Sequence, residues 1–179
     1  MNVYWFDVEV AGPVTMDHVE SLGDVLTAGD GIDANVQADE RGGRVIFSRD
    51  AEDAIQAVVS AVRDVEAAGM KVIGVVEDRV TAAGIADKAK VTQAAVRYWI
   101  TGERGPGNFP APVIPRERAS LYSWAEVAGW LAWAKLGDVD HFAAETAKAC
   151  LIINAALTLR NGLRELPRHN RPLVRELVA

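Results

Sequence analysis

The chain has 179 residues, half of them hydrophobic and a quarter charged, with a formal net charge of −6. That composition belongs to a globular protein with enough material for a core, not to a disordered or fibrous chain. Its single cysteine, Cys150, excludes an intrachain disulfide.

The opening MNVYWFDVEV lacks the basic start and long apolar run of a signal peptide. No apolar stretch approaches the ~20 residues of a membrane span. A cytoplasmic protein without membrane contact is expected.

Alternation in the opening makes it a strand with Tyr4, Phe6, Val8 and Val10 on one face and Trp5, Asp7 and Glu9 on the other. Gly12-Pro13 stops it. Thr15 stands where a helix cap would, and Val19, Leu22, Val25 and Leu26 follow at helical spacing up to Gly29-Asp30-Gly31. Residues 34–38 and 44–48 read as a hairpin turning at Arg41-Gly42-Gly43. Asp50 is then expected to cap a helix with Ile55, Val58, Val59, Val62 and Val65 inward and Gly69 as its stop. The β-branched run KVIGVVE from Lys71 closes the pattern as a last strand.

The order β-α-β-β-α-β predicts an α+β, ferredoxin-like domain over residues 1–79, with both helices on one sheet face. Strand 44–47 lacks the glycine-and-aromatic signature of base-stacking RNA domains. The open face is read as a packing or dimerisation surface, with a small-molecule or protein effector as the alternative occupant.

Charge is divided unevenly. Residues 1–87 carry 6 Lys/Arg against 17 Asp/Glu, a net −11, whereas residues 88–118 carry 6 against 2, a net +4. Screening confines surface potentials to about 8–10 Å, so a local basic patch on an acidic chain can still attract a polyanion.

That patch lies in a helix-turn-helix pattern. Thr81 is expected to cap a helix over 82–89 with Ile85 and Ala89 inward. Lys90-Val91 makes the turn, Thr92 is a second cap, and 93–101 forms the next helix with Val96 and Ile100 inward. Three glycines and three prolines then exclude helix from 102–112, where Phe109 is the residue able to anchor the loop. Val113 can pair with Leu121-Tyr122 as a small hairpin carrying Arg116-Glu117-Arg118 at its tip. Ser123-Trp124-Ala125-Glu126 has the form of a capping box opening a helix with Val127, Trp130 and Leu131 inward.

Val91 to Trp99, followed by Leu121-Tyr122-Ser123-Trp124-Ala125-Glu126-Val127, resembles the winged helix-turn-helix of the MerR superfamily, in particular its short AlpA- and excisionase-like members. The family places a small apolar residue and Ser/Thr before the recognition helix, as Val91 and Thr92 stand here. It places an Arg and two aromatics within that helix, as in Arg97, Tyr98 and Trp99. The chain as a whole is similar to actinobacterial helix-turn-helix regulators. The MerR-like part covers about 50 of the 179 residues. Two positions depart from the pattern. Lys90 stands where the turn often has Gly, at a cost of about 1 kcal/mol if the backbone is left-handed. Ser120 replaces a wing arginine, which passes its backbone contact to Arg116 or Arg118.

The resemblance implies double-stranded DNA as partner, with helix 93–101 in the major groove and wing 103–122 beside it. Arg97 suits a base edge or a phosphate, or a salt bridge behind the motif. Gln93 suits adenine, or plain solvation in the first turn, with Ala94 beside it on the exposed side. Thr92 opens a helix N-terminus that favours phosphate. Tyr98 suits phosphate or sugar, and of Tyr98 and Trp99 the latter is the better core residue. Lys88 and Lys90 offer non-specific phosphate attraction or a solvated face. Arg104, Arg116 and Arg118 would lay the wing along the minor groove or remain loop charges. No catalytic set, metal site or cofactor is expected: His18, His141 and His169 lack ligand spacing.

After a winged helix-turn-helix at 80–136, residues 137–179 read as a helical assembly segment. Trp130 belongs to the core, and Trp133 is a candidate second contact surface. A long helix over 140–163 brings Phe142, Thr146, Ala149, Ile153, Ala156 and Leu163 near heptad spacing. It is too apolar to stand alone, so it packs on a partner copy in a homodimer or on its own N-terminal sheet. Pro167 ends it, and 173–178 can add a short helix. The expected function is a sequence-specific transcriptional regulator without enzymatic activity. The alternatives are an excisionase-like DNA-bending factor and a sensing adaptor built on the N-terminal sheet.

Overall fold

A computed structural model describes residues 2–29 and 31–177, so the expectations at Asp30 and Val178 lie outside the described residues. The fold is mixed α+β and divides into two compact units, residues 1–76 with 152–179 and residues 77–151. This division differs from the three segments drawn from sequence, because the end of the chain joins the first unit.

The first unit is built on β1 (Asn2–Ala11), α1 (Met16–Ala28), β2 (Ala34–Asp39), β3 (Gly42–Ala51), α2 (Ala54–Ala67) and β4 (Lys71–Val75). The four strands form an antiparallel sheet in the order β2-β3-β1-β4. Alternation buries Tyr4, Phe6, Val8 and Val10 and leaves Trp5 70% exposed on the opposite face. Phe6 faces Phe47 in register, and their rings stack 5.6 Å apart. Leu22 and Leu26 of α1 and Val58, Val62 and Val65 of α2 complete this core.

Local details depart from expectation. The cap of α2 is Asp53, whose carboxylate accepts from Gln56 N–H at 2.8 Å, because β3 continues through Asp50 to Ala51. Ile55 is 41% exposed, and the small Ala54, Ala57 and Ala61 occupy the inward face. The hairpin turns at Glu40-Arg41, with Gly42 and Gly43 already in the strand. A Cβ at Gly42 would run into the Val10 carbonyl, so close approach to β1 requires glycine there. Gly69 does end α2, in left-handed geometry at φ 85°, and Met70 N–H donates back to the Val65 carbonyl.

The second unit holds β5 (Arg79–Val80), α3 (Ala82–Lys88), α4 (Gln93–Thr101), β6 (Tyr122–Ser123) and α5 (Trp124–Ala134). Its core gathers Val80, Ile85, Val96, Trp99, Trp124 and Leu131. The anticipated hairpin from Val113 is absent. Ile114 makes a single bridge to Leu121, and Tyr122-Ser123 pairs instead with Arg79-Val80. Pro112 and Pro115 flank Ile114 and supply no N–H, so the ladder cannot extend. Ser123 makes no side-chain cap, since it is committed to β6; Asp78 helps satisfy the helix start by accepting from Trp124 N–H at 2.9 Å.

The helix α6 (His141–Glu165) gives its first turns to the second unit and the rest to the first. Asp140 caps it, accepting from Phe142 and Ala143 N–H. It buries Thr146, Ala149, Ile153 and Leu157, whereas Phe142 is 45% exposed and Ala156 lies on the surface, which breaks the heptad reading. In the first unit Asn154 Oδ1 accepts from the Val75 N–H of edge strand β4, and Arg160 grips Glu66 of α2 at 2.6 and 3.1 Å. These contacts cover only part of the apolar surface, since a third of the helix's most apolar 18-residue window is buried. The helix also corrects the hydropathy reading, for at 25 residues with a window of mean hydropathy 1.3 it is long and apolar enough to cross a bilayer. A 3-10 turn (Arg168–Asn170) and α7 (Arg171–Glu176) follow.

Candidate nucleic-acid interface

The site begins with two hydroxyl caps. Thr81 Oγ1 accepts from Gly84 N–H and Thr92 Oγ1 from Ala95 N–H, both at 3.2 Å, so each helix starts where its threonine stands. Between them α3 closes through Val91 N–H to the Ala86 carbonyl, with Lys90 left-handed at φ 53°. Lys90 thus adopts the conformation that glycine would take at lower cost. Its ammonium donates to Asp138 at 2.6 Å, and that hydrogen bond and charge hold its pKa above the ordinary lysine value.

Val96 and Trp99 fill the inward face of α4. Trp99 packs against Trp130 at a tilt with ring centroids 5.5 Å apart, and Phe109 packs edge-on to Trp130 and Tyr122 at 4.9 and 5.8 Å. The Trp130 indole N–H donates to the Gly107 carbonyl at 2.9 Å. These contacts tie the glycine-proline loop to the core through Phe109, as its composition suggested. Burial pushes the Tyr122 phenol above its ordinary pKa.

The outward face of α4 opens a groove of about 730 Å³. Gln93, Ala94, Arg97 and Tyr98 line it with Arg118 from the loop before β6, so five of the nine candidate residues come together. Among the described residues, Gln93, Arg97 and Arg118 have no side-chain hydrogen bond or ion pair. Arg97 is therefore not the salt bridge behind the motif that its position also allowed.

The other four candidates lie outside the groove lining. Thr92 spends its oxygen on the cap. Lys90 is paired with Asp138. Arg104 lays its guanidinium over the Tyr98 ring, 4.8 Å from the centroid, and so adjoins the groove through that ring. Arg116 sits in a turn before β6, where the Ser120 hydroxyl accepts from its N–H and donates to its carbonyl. Ser120 thus closes the turn. Lys88 pairs with Asp78 at 2.8 Å.

Sequence reasoning missed Ala82, Ile100 and Glu103 as lining residues. Ile100 was expected inward, yet it is 36% exposed because the bulkier Trp99 takes the core position. The signal was present in the spacing, since 93, 97 and 100 fall four and three apart on one helix stripe. Among the described residues no group of three His, Cys, Asp or Glu could hold a metal ion. No protein-family model, curated protein or solved structure matches the chain.

Proposed function

We propose that the second unit is a winged helix-turn-helix that binds double-stranded DNA sequence-specifically, with α4 in the major groove and the 103–122 wing flanking it. The protein is then a cytoplasmic transcriptional regulator rather than an enzyme. The observation that carries this reading is the groove itself. Gln93, Arg97 and Arg118 converge there with no intrachain polar partner, on a helix whose N-terminus is capped and whose preceding turn is left-handed. Free guanidinium and amide groups on one helix stripe match the donor and acceptor pattern of base edges and phosphates.

The first unit fits a ferredoxin-like domain by its β-α-β-β-α-β order and its strand order β2-β3-β1-β4. Two copies on two half-sites are the usual arrangement for helix-turn-helix readers, and the same is proposed here. With a third of its most apolar window buried within the chain, α6 leaves apolar surface, Phe142 and Ile152 included, that a partner copy would cover.

Selection of DNA from a random pool tests both points. Recovery of one preferred sequence, with affinity falling steeply with salt, is expected. A palindrome supports the dimer, and a light-scattering mass near 19 kDa, free and on DNA, removes it. Bending of the selected DNA without an effect on transcription would replace regulation by an architectural role.

A further inference from the structure

We propose, resting on that DNA-binding reading, that Ile100 reads the 5-methyl group of a thymine. Site recognition then includes an apolar contact as well as the hydrogen bonds of Gln93 and Arg97. The groove mixes two chemistries. Gln93 and Arg97 bring donors, whereas Ala94 and Ile100 bring only hydrocarbon. Ile100 is not displaced core, since Val96 and Trp99 already fill the inward face of α4, both buried.

Position decides what such a side chain can meet. Residues 93, 97 and 100 form one stripe, and at 1.5 Å per residue Ile100 lies about 10 Å along the axis from Gln93. With base pairs spaced 3.4 Å, that is roughly three steps along the groove. In the major groove thymine alone presents a methyl group, while cytosine presents an amino donor that an isoleucine would desolvate without a partner. An exposed isoleucine on the reading stripe therefore favours T over C at its own step.

The test uses the full chain and a DNA duplex selected from a random pool, with each thymine replaced singly by deoxyuridine, which lacks only the methyl. Wild-type protein should lose about three- to fivefold in affinity at one thymine, the worth of one buried methyl. Ile100→Ala should bind the thymine and uracil duplexes alike. The wild-type scan needs no variant, so a folding defect in Ile100→Ala leaves the proposal exposed to test. If no thymine is sensitive, or if Ile100→Ala keeps the wild-type ratio, methyl reading is wrong while DNA binding stands. If no DNA is selected at all, the underlying reading fails and this one with it.

Discussion

Asp138 meets the turn between α3 and α4 twice: its carboxylate accepts from Lys90 Nζ at 2.6 Å, and its backbone N–H donates to the Ala89 carbonyl at 2.9 Å. The residue before it lets this happen. Gly137 is left-handed at φ 71°, and a Cβ there would lie 2.8 Å from the Ala89 oxygen. Gly137→Ala should therefore cost more than the ~1–2 kcal/mol of left-handed strain alone. Gly102 is the control, with φ 74° and nothing within 4 Å of its Cβ position. Urea unfolding should rank Gly137→Ala clearly below Gly102→Ala, and equal midpoints would remove the close approach as a determinant.

Arg49 is the buried cation of the first unit. It is 8% exposed and donates to Asp33 at 2.6 and 3.0 Å, to Asp64 at 2.7 Å and to Ser60 at 3.0 Å. Burial pulls its pKa down, and its hydrogen bonds to Asp33 and Asp64 outweigh that, leaving it above the ordinary arginine value. Arg49→Ala leaves two carboxylates facing each other without a cation, at a cost of about 3 kcal/mol or more. Arg49→Lys should recover only part of this, since one ammonium cannot serve three partners as a fork does. A lysine variant as stable as wild type would sink the geometric account.

How much of this was legible follows from the range of the interactions. Strand β1 wrote its inward face in plain alternation, and Tyr4, Phe6, Val8 and Val10 are all buried. The bounds of α4 followed from its Thr92 cap and spacing, which are local, while the left-handed backbone at Lys90 was suggested by the family resemblance. Asp50 against Asp53 was not decidable locally, because pairing of β3 with β1 out to Asn2 and Ala51 sets where the strand ends. The exposure of Ile100 was legible in the spacing it shares with residues 93 and 97, whereas the packing partner of Trp99, Trp130, lies 31 residues on. The apolarity of α6 announced that it packs, but its contact with β4 joins Asn154 to Val75 across 79 residues, beyond any local pattern.

In the proposed interface the two groove arginines should differ in kind. Arg97, on the helix stripe with Gln93, would be the base reader. Arg97→Ala should weaken the selected site by ~1–3 kcal/mol and relax preference at one base pair. Arg118, on the loop facing α4, would be the phosphate contact. Arg118→Ala should weaken all sequences alike and lower the slope of log affinity against log salt by about 1. Filter binding at several salt concentrations separates the two. If both variants keep wild-type affinity at low salt, the groove is not the DNA site.

Glu103 makes the strongest internal contrast, for it lines the same groove as Arg97 and Arg118 with no ion pair among the described residues. A free carboxylate beside a polyanion opposes binding at every sequence and acts more strongly at low ionic strength. Glu103→Gln should therefore tighten binding several-fold at low salt, for random and selected DNA together. The gain should vanish near 1 M salt, where the screening length falls to about 3 Å. Discrimination between the two DNAs would shrink or stay level. The opposite outcome, weaker binding confined to the selected site, would make Glu103 a base reader that accepts from a cytosine amino group. Competition assays with selected and scrambled duplexes at two salt concentrations distinguish these results.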